Sequence, residues 1–324
     1  MRMHPSVAAL AAGLALGTGL AIGAASEARA DFPDGQTIRV VTPYGAGGGI
    51  DIAARILSSV ADEHVGTRVE VVNMPGAGGL DAASYVHGAE ADGTTLIISD
   101  YGPLITLALR EDTPYAIDDW VPLVQVTEIA PTFVARTDAP FDTIEGFVEA
   151  ARAQPGGIPI THGTYISSSH LPLLRLEQLT GAQANHVPTS GGGETVQFLL
   201  GGTVPVAVTT PATIASAIEA GTARALAVAT AERVPSLPET PTLREAGFDI
   251  VMPVWYTIFA PASVPEERRT AIAERIAAAY ESPAAQELAE RARIVVRPIT
   301  GAEVETIFAD TRATVEATLA ELDD

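Results

Sequence analysis

The chain has 324 residues, room for two ordinary domains, and 47% of them are apolar, so it is neither a disordered tail nor a fibre. Its 40 Asp and Glu against 19 basic residues leave a net charge of −21, with no basic run to meet a nucleic acid or an anionic membrane surface. Every basic residue is Arg and there is no Cys, which excludes Schiff-base lysines, a phosphate-loop Lys, disulfides, thiol nucleophiles and thiolate metal sites.

Residues 1–30 read as a secretory signal peptide. Arg2 and His4 start it, Val7 to Gly23 is uncharged and small or apolar, and Ala28-Arg29-Ala30 is a small-x-small cleavage site. The run is short and weakly apolar for a membrane span. The expectation is therefore a periplasmic protein whose mature chain starts at Asp31.

Beyond that point strand and helix patterns alternate. Thr37–Thr42 is a short β run, and Ile50–Glu63 carries apolar residues at helical spacing. Val69–Asn73 and Thr95–Ser99 read as further strands, with a helical stretch to about Ala89 between them. Pro122–Arg136 is a long extended run without helical period. The alternation then restarts. Helices are expected at Thr143–Ala153, Ser167–Thr180, Gly192–Leu200 and Ala212–Ala220, and strands at Ile158–Thr161, Ala184–Val187, Val204–Thr209 and Ala223–Ala229. A second extended run, Asp249–Ala260, precedes a mostly helical tail interrupted by a strand at Ile294–Arg297.

Repeated βαβ units imply an α/β fold with parallel sheets. Two such sets joined by two long extended runs imply two lobes with two hinge crossings, and a ligand between the lobes at the strand ends. The expected division is 31–128 plus 252–324 for the first lobe and 129–251 for the second.

Four loops lie where that ligand would be. Tyr44-Gly45-Ala46-Gly47-Gly48-Gly49 leads from strand to helix and offers backbone N–H groups at a helix N-terminus, an anion site without a basic side chain. Asn73 to Gly79 repeats the device, with Gly78 as its candidate. Ser99-Asp100-Tyr101-Gly102 follows the third strand. In the second set, Thr164, Tyr165, Ser167, Ser168 and Ser169 form a loop whose hydroxyls suit a carboxylate, and Thr209-Thr210 adds more. A dinucleotide-binding reading begins with Gly45-x-Gly47 but meets Ile50 at the third glycine. An exported enzyme built on His170 or Asp100 is the other alternative, although no nucleophile–base pair or G-x-S-x-G elbow stands out. The six His show no metal-binding spacing, so neither a metal site nor a cofactor is expected.

Taken in order, these loops resemble those of the tripartite tricarboxylate transporter substrate-binding proteins, the TctC or Bug family. The resemblance runs through Val40-Val41-Thr42-Pro43-Tyr44, Gly47-Gly48-Gly49-Ile50-Asp51, Asn73-Met74-Pro75-Gly76-Ala77-Gly78-Gly79, Ser167-Ser168-Ser169-His170-Leu171, His186-Val187-Pro188 and Ala220-Gly221-Thr222-Ala223-Arg224-Ala225-Leu226-Ala227-Val228-Ala229. It implies a two-lobed periplasmic binding protein of type II-like build. Such a receptor closes on a small di- or tricarboxylate or aromatic acid and delivers it to membrane transporter subunits, here as a monomer. It points to Tyr44, Ala46, Gly47, Gly48 and Gly49 in one lobe and Ser167, Ser168 and Ser169 in the other as ligand contacts. Where the family has glycines or small residues this chain has Thr164, Ile166 and Asp100-Tyr101, and a strand-end acid of the family is Thr209 here. The last departure suggests a ligand without an amino group. Tyr44, Tyr101, Tyr165 and Trp255 are candidates for an aromatic-lined cleft.

Overall fold

Two mixed sheets, each a parallel trio of strands extended by an antiparallel strand sent over from the other sheet, organise the chain. The computed structural model describes residues 35–165 and 167–323; the expected signal peptide and Ile166 lie outside the described residues. The first set of elements is β1 (Ile38–Thr42), α1 (Gly49–His64), β2 (Val69–Asn73), α2 (Leu80–His87), β3 (Thr95–Ser99), α3 (Leu107–Arg110) and β4 (Trp120–Ile129). The second is β5 (Thr132–Arg136), α4 (Ile144–Ala153), β6 (Pro159–His162), α5 (Leu171–Thr180), β7 (Asn185–Pro188), α6 (Gly192–Leu200), β8 (Val206–Thr209), α7 (Pro211–Glu219) and β9 (Ala223–Val228). The chain then returns with β10 (Val254–Pro261), α8 (Glu266–Glu281), α9 (Pro283–Ala292), β11 (Ile299–Thr300) and α10 (Ala302–Asp323).

The first sheet has the order β2-β1-β3-β10-β4-β11 and the second β7-β6-β8-β5-β9. β1 pairs in parallel with β2 and β3, as β6 does with β7 and β8. β10 then joins β3 antiparallel, as β5 joins β8. Each of these antiparallel strands has just crossed from the other sheet. The crossings are tied together, because Ala229 N donates to Pro131 O at 2.9 Å and Met252 N to Ala229 O at 2.7 Å.

Helices cover the parallel strands, which explains why β3 is buried at every position and β1 at all but one. α8 packs on α1 and β4, and the fully buried Tyr280 donates its hydroxyl to Ala53 O at 3.0 Å. Two local expectations need correction. The strand expected at Ile294–Arg297 is irregular chain lying along β4, where Arg297 N reaches Val126 O at 2.9 Å; strand pairing begins only at Ile299. Ser167–His170 forms a tight turn, and α5 starts after it at Leu171. A wide π-helical turn, Gly102–Thr106, leads into α3. Its burial on every residue left no amphipathic period to read.

Candidate functional site

Two helix N-termini meet head to head between the sheets. The chain leaves β1 over the C-terminal edge of its sheet and enters α1 with Gly48 as N-cap, at φ −81° and ψ 167°, and no side chain caps the helix. α6 on the other sheet begins likewise, with Gly191 as an N-cap that has no side-chain bond. Uncapped first-turn N–H groups, with the partial positive charge of the helix end, are an anion's natural partners. The glycines let the two backbones touch. A Cβ on Gly48 would lie 3.6 Å from Gly192 N, and one on Gly193 only 2.7 Å from the Ala46 carbonyl oxygen. Gly45 N donates across the gap to Ser190 O at 3.1 Å.

Between these helix ends lies a cavity of about 60 Å³, lined from the first-sheet side by Tyr44, Gly45, Gly48, Gly49, Ile50, Asp51, Asp100 and Tyr256. Gly163, Ser167, Ser168, Ser169, Gly191, Gly192, Thr195, Val208, Thr209 and Thr210 line it from the other side. No Arg or His is among them. The Ser167 and Ser169 hydroxyls share a hydrogen bond of 3.1 Å, and Ser169 Oγ accepts from Gly163 N at 3.0 Å. Thr209 Oγ1 is buried on the cavity wall without a protein partner, the kind of group that a bound ligand satisfies.

Two acids belong to the site and behave differently. Asp51 is neutralised: Arg55 Nε and Gly47 N each donate to its Oδ2 at 2.9 Å, and Asn73 Nδ2 donates to Oδ1 at 2.9 Å. Burial pushes this carboxyl up, but the Arg55, Gly47 and Asn73 bonds outweigh it and hold the group below the usual carboxylate range. Among the described residues no cation pairs with Asp100. Tyr44 Oη at 2.8 Å and Gly102 N at 2.9 Å donate to its Oδ1, and Ser168 Oγ donates to Oδ2. Burial dominates, and the Asp100 carboxyl is raised despite these bonds.

Behind the serine loop the tertiary structure gathers His162, His170 and His186, whose nitrogens lie within 4.8 Å of one another, a grouping with no signature in their spacing. Glu177 Oε2 lies 2.9 Å from His186 Nε2, which makes that nitrogen the donor and His186 Nδ1 the acceptor from His170 Nε2 at 2.7 Å. The His162 and His170 rings are stacked 3.9 Å apart at 8°, so their in-plane lone pairs run side by side and do not converge on one ion. The cluster acts as a strut from α5 and β7 to the end of β6. Burial and the neighbouring His186 push His162 down to about 4, and burial lowers His170 as well.

Of the residues expected from the sequence, Tyr44, Gly48, Gly49, Asp100, Ser167, Ser168, Ser169 and Thr209 line the cavity. Ala46 and Gly47 sit on the exposed lip of the same loop, and the Gly47 N–H is spent on Asp51. Gly78 packs towards Leu107 at φ +70°, away from the cavity. Thr164 stands off the lining, and Tyr165 is 61% exposed over His170. Tyr101 lies behind Asp100 and reaches Ser168 O at 3.4 Å. Trp255 points to the other side of β10, into a separate cavity of about 510 Å³ shared with Gln125, Glu128 and Arg293. Its neighbour Tyr256 takes the cleft side, because successive strand residues face opposite ways. The sequence reading missed Gly191 and Gly192; the Ser190-Gly191-Gly192-Gly193 run at the start of a helix was the available signal.

Sheets of matching strand order, paired crossings and a cleft built from helix ends and hydroxyls define a two-lobed solute-binding protein of the periplasmic class. Residues 53–321 match the model of the tripartite tricarboxylate transporter family receptor, TctC. The chain is 32% identical over 244 residues to protein BugT of Bordetella pertussis, covering 74% of each chain. It is 33% identical over 257 residues to a Cupriavidus necator protein from the gbd 5′ region, covering 77% of each. Among solved structures, MatC from Rhodopseudomonas palustris with bound malate superposes with a TM-score of 0.80 at 26% identity, over 88% of this chain and 98% of that one. A second R. palustris protein, with adipate, gives 0.81 at 25% identity, over 89% and 97%. The chain belongs to the tripartite tricarboxylate transporter receptor family. Among the described residues no helix is long and apolar enough to cross a membrane.

Proposed function

We propose that this protein binds a small organic carboxylate between its lobes, in the periplasm, and hands it as a monomer to the membrane subunits of a tripartite transporter. The observation that carries the reading is the pair of uncapped helix N-termini facing one cavity, beside the unpartnered Thr209 hydroxyl. A carboxylate oxygen takes N–H groups from α1 and α6, and the Ser167, Ser169 and Thr209 hydroxyls complete its shell. Each such charge-assisted bond contributes on the order of 1.5–3 kcal/mol net, enough to outweigh the screened field of an acidic protein. The carboxylates that solved relatives hold, malate and adipate, support this ligand class. The division into lobes at about residues 129 and 252, and cleavage of residues 1–30, belong to the same reading.

The test is a thermal-shift screen over mono-, di- and tricarboxylates, with mass analysis of the recovered ligand. A ligand that binds only the folded protein raises its melting temperature. Recovery of the intact acid is expected. Turnover of the acid would favour an exported enzyme, and a melting temperature unmoved by every acid would overturn the carboxylate reading.

A further inference from the structure

We propose that Asp100 makes this receptor selective for ligands that bring a single carboxylate, by occupying with its own carboxyl group the cross-lobe donors that a second ligand carboxylate would need. The inference deepens the carboxylate reading above and rests on it.

Asp100 is 4% exposed and sits where the two sheets' loops meet. Its donors come from both sides: the Tyr44 hydroxyl and the Gly102 N–H from the first sheet's loops, and the Ser168 hydroxyl from the second. That is the coordination expected of a carboxylate ligand clamped between lobes, already filled by the protein. Gly102 is what lets the loops close around it, since a Cβ there would lie 3.1 Å from Asp100 Oδ1 and 3.6 Å from Ser167 Cα. The donors left over for a ligand are the two helix starts with Ser167, Ser169 and Thr209, which suffice for one carboxylate.

The electrostatics point the same way. No Arg or His lines the cavity, so nothing there offsets two acids at once. The groups facing Asp100 supply no charge of opposite sign. Tyr44, Tyr101 and Tyr256 are all pushed up by burial and stay neutral, His162 and His170 behind the serine loop are pushed down and stay neutral, and Asp51 is already matched by Arg55. A second ligand carboxylate would stand beside a buried acid, and two such groups do not both ionise at close range. A dicarboxylate is therefore expected to bind with uptake of a proton, and the burial that raises the Asp100 carboxyl favours that acid as its acceptor. The cavity of about 60 Å³ also favours a short ligand.

Calorimetry with matched pairs, butyrate against succinate and hexanoate against adipate, tests this. For the wild type at about pH 7.5, the monocarboxylate of at least one pair is expected to bind about tenfold tighter or more. Near pH 5.5 the gap should narrow, with proton uptake on dicarboxylate binding visible as a dependence on buffer ionisation heat. Asp100→Asn, and Asp100→Ser as a smaller second variant, should reduce the preference to about threefold or less. Wild-type protein that binds succinate or adipate as tightly as its partner without proton uptake overturns the proposal, as does a preference unchanged in a folded variant. If neither class binds, the carboxylate reading itself fails and this inference with it; if both bind alike, only the inference fails.

Discussion

Gly193 on α6 faces the Ala46 carbonyl across the cleft so closely that a Cβ would come within 2.7 Å of the oxygen. Gly193 lies in the first turn of a helix on the second sheet and Ala46 on a loop of the first, so this contact exists only while the lobes are together. Gly193→Ala should leave the helix intact, since Ala is the better helix former by about 1 kcal/mol. It should nevertheless block full closure and weaken ligand binding about tenfold or more. Calorimetry for affinity and circular dichroism for the fold separate the two effects. Unchanged affinity would mean that closure tolerates the methyl group.

The first-lobe loop makes a sharper distinction between neighbouring glycines. A Cβ on Gly49 would meet the Tyr256 hydroxyl at 2.7 Å, whereas one on Gly48 meets nothing closer than Gly192 N at 3.6 Å. Gly49→Ala is expected to displace Tyr256 and lower affinity. Gly48→Ala should be mild, and Gly48→Val, whose branches enter the cavity, severe. Equal affinities for Gly48→Ala and Gly49→Ala in the same titration would refute this ordering.

Asp51 fixes the loop that carries both glycines. It accepts from Gly47 N, Arg55 Nε and Asn73 Nδ2, and its removal takes the partner from the Gly47 N–H and the counter-charge from Arg55, while Asn73 keeps its bonds to Thr42 Oγ1 and Tyr44 O. Asp51→Ala should cost about 1.5–3 kcal/mol of stability in denaturant unfolding and reduce ligand affinity as the loop loosens. The folded-state pKa lies below the ordinary value, so this contribution is present at neutral pH and is lost as pH falls through that lowered value.

The histidine strut predicts a second acid sensitivity. His162 titrates near 4 in the folded chain against 6.5 ordinarily, so the unfolded chain binds the extra proton first. Stability should therefore fall as pH drops from about 6.5 to about 4, by up to about 3 kcal/mol from this group. Melting curves across that window for wild type and His162→Phe check it. The variant keeps a stacking ring against His170 and should show a flatter profile.

The amino terminus gives an independent check on export. The Ala28-Arg29-Ala30 site implies that periplasmic protein begins at Asp31. Amino-terminal sequencing of the exported chain should read Asp31-Phe32-Pro33. Retention of Arg2 in most molecules would refute cleavage there.

Local pattern alone determined the alternation of elements, because burial on a parallel sheet selects unbroken apolar strands such as Thr95–Ser99, and packing on one face selects the spacing seen in α1. The glycine loop before α1 and the Ser167–Ser169 loop were legible for the same reason, since their chemistry lies in short consecutive runs. What the tertiary structure alone decided were relationships between distant residues. Tyr256 faces the cleft and Trp255 does not, because register assigns the two faces of β10 and the pattern of neighbouring aromatics does not. His162, His170 and His186 converge only when β6 and β7 pair, with Ile160 opposite His186 and α5 leading off behind them. Asp100 could be marked as a polar residue at a strand end, but not as a buried acid without a cation, clasped by Ser168 from 68 residues away. Closing two lobes on each other brings those groups together, and sequence distance carries no record of which loops will touch.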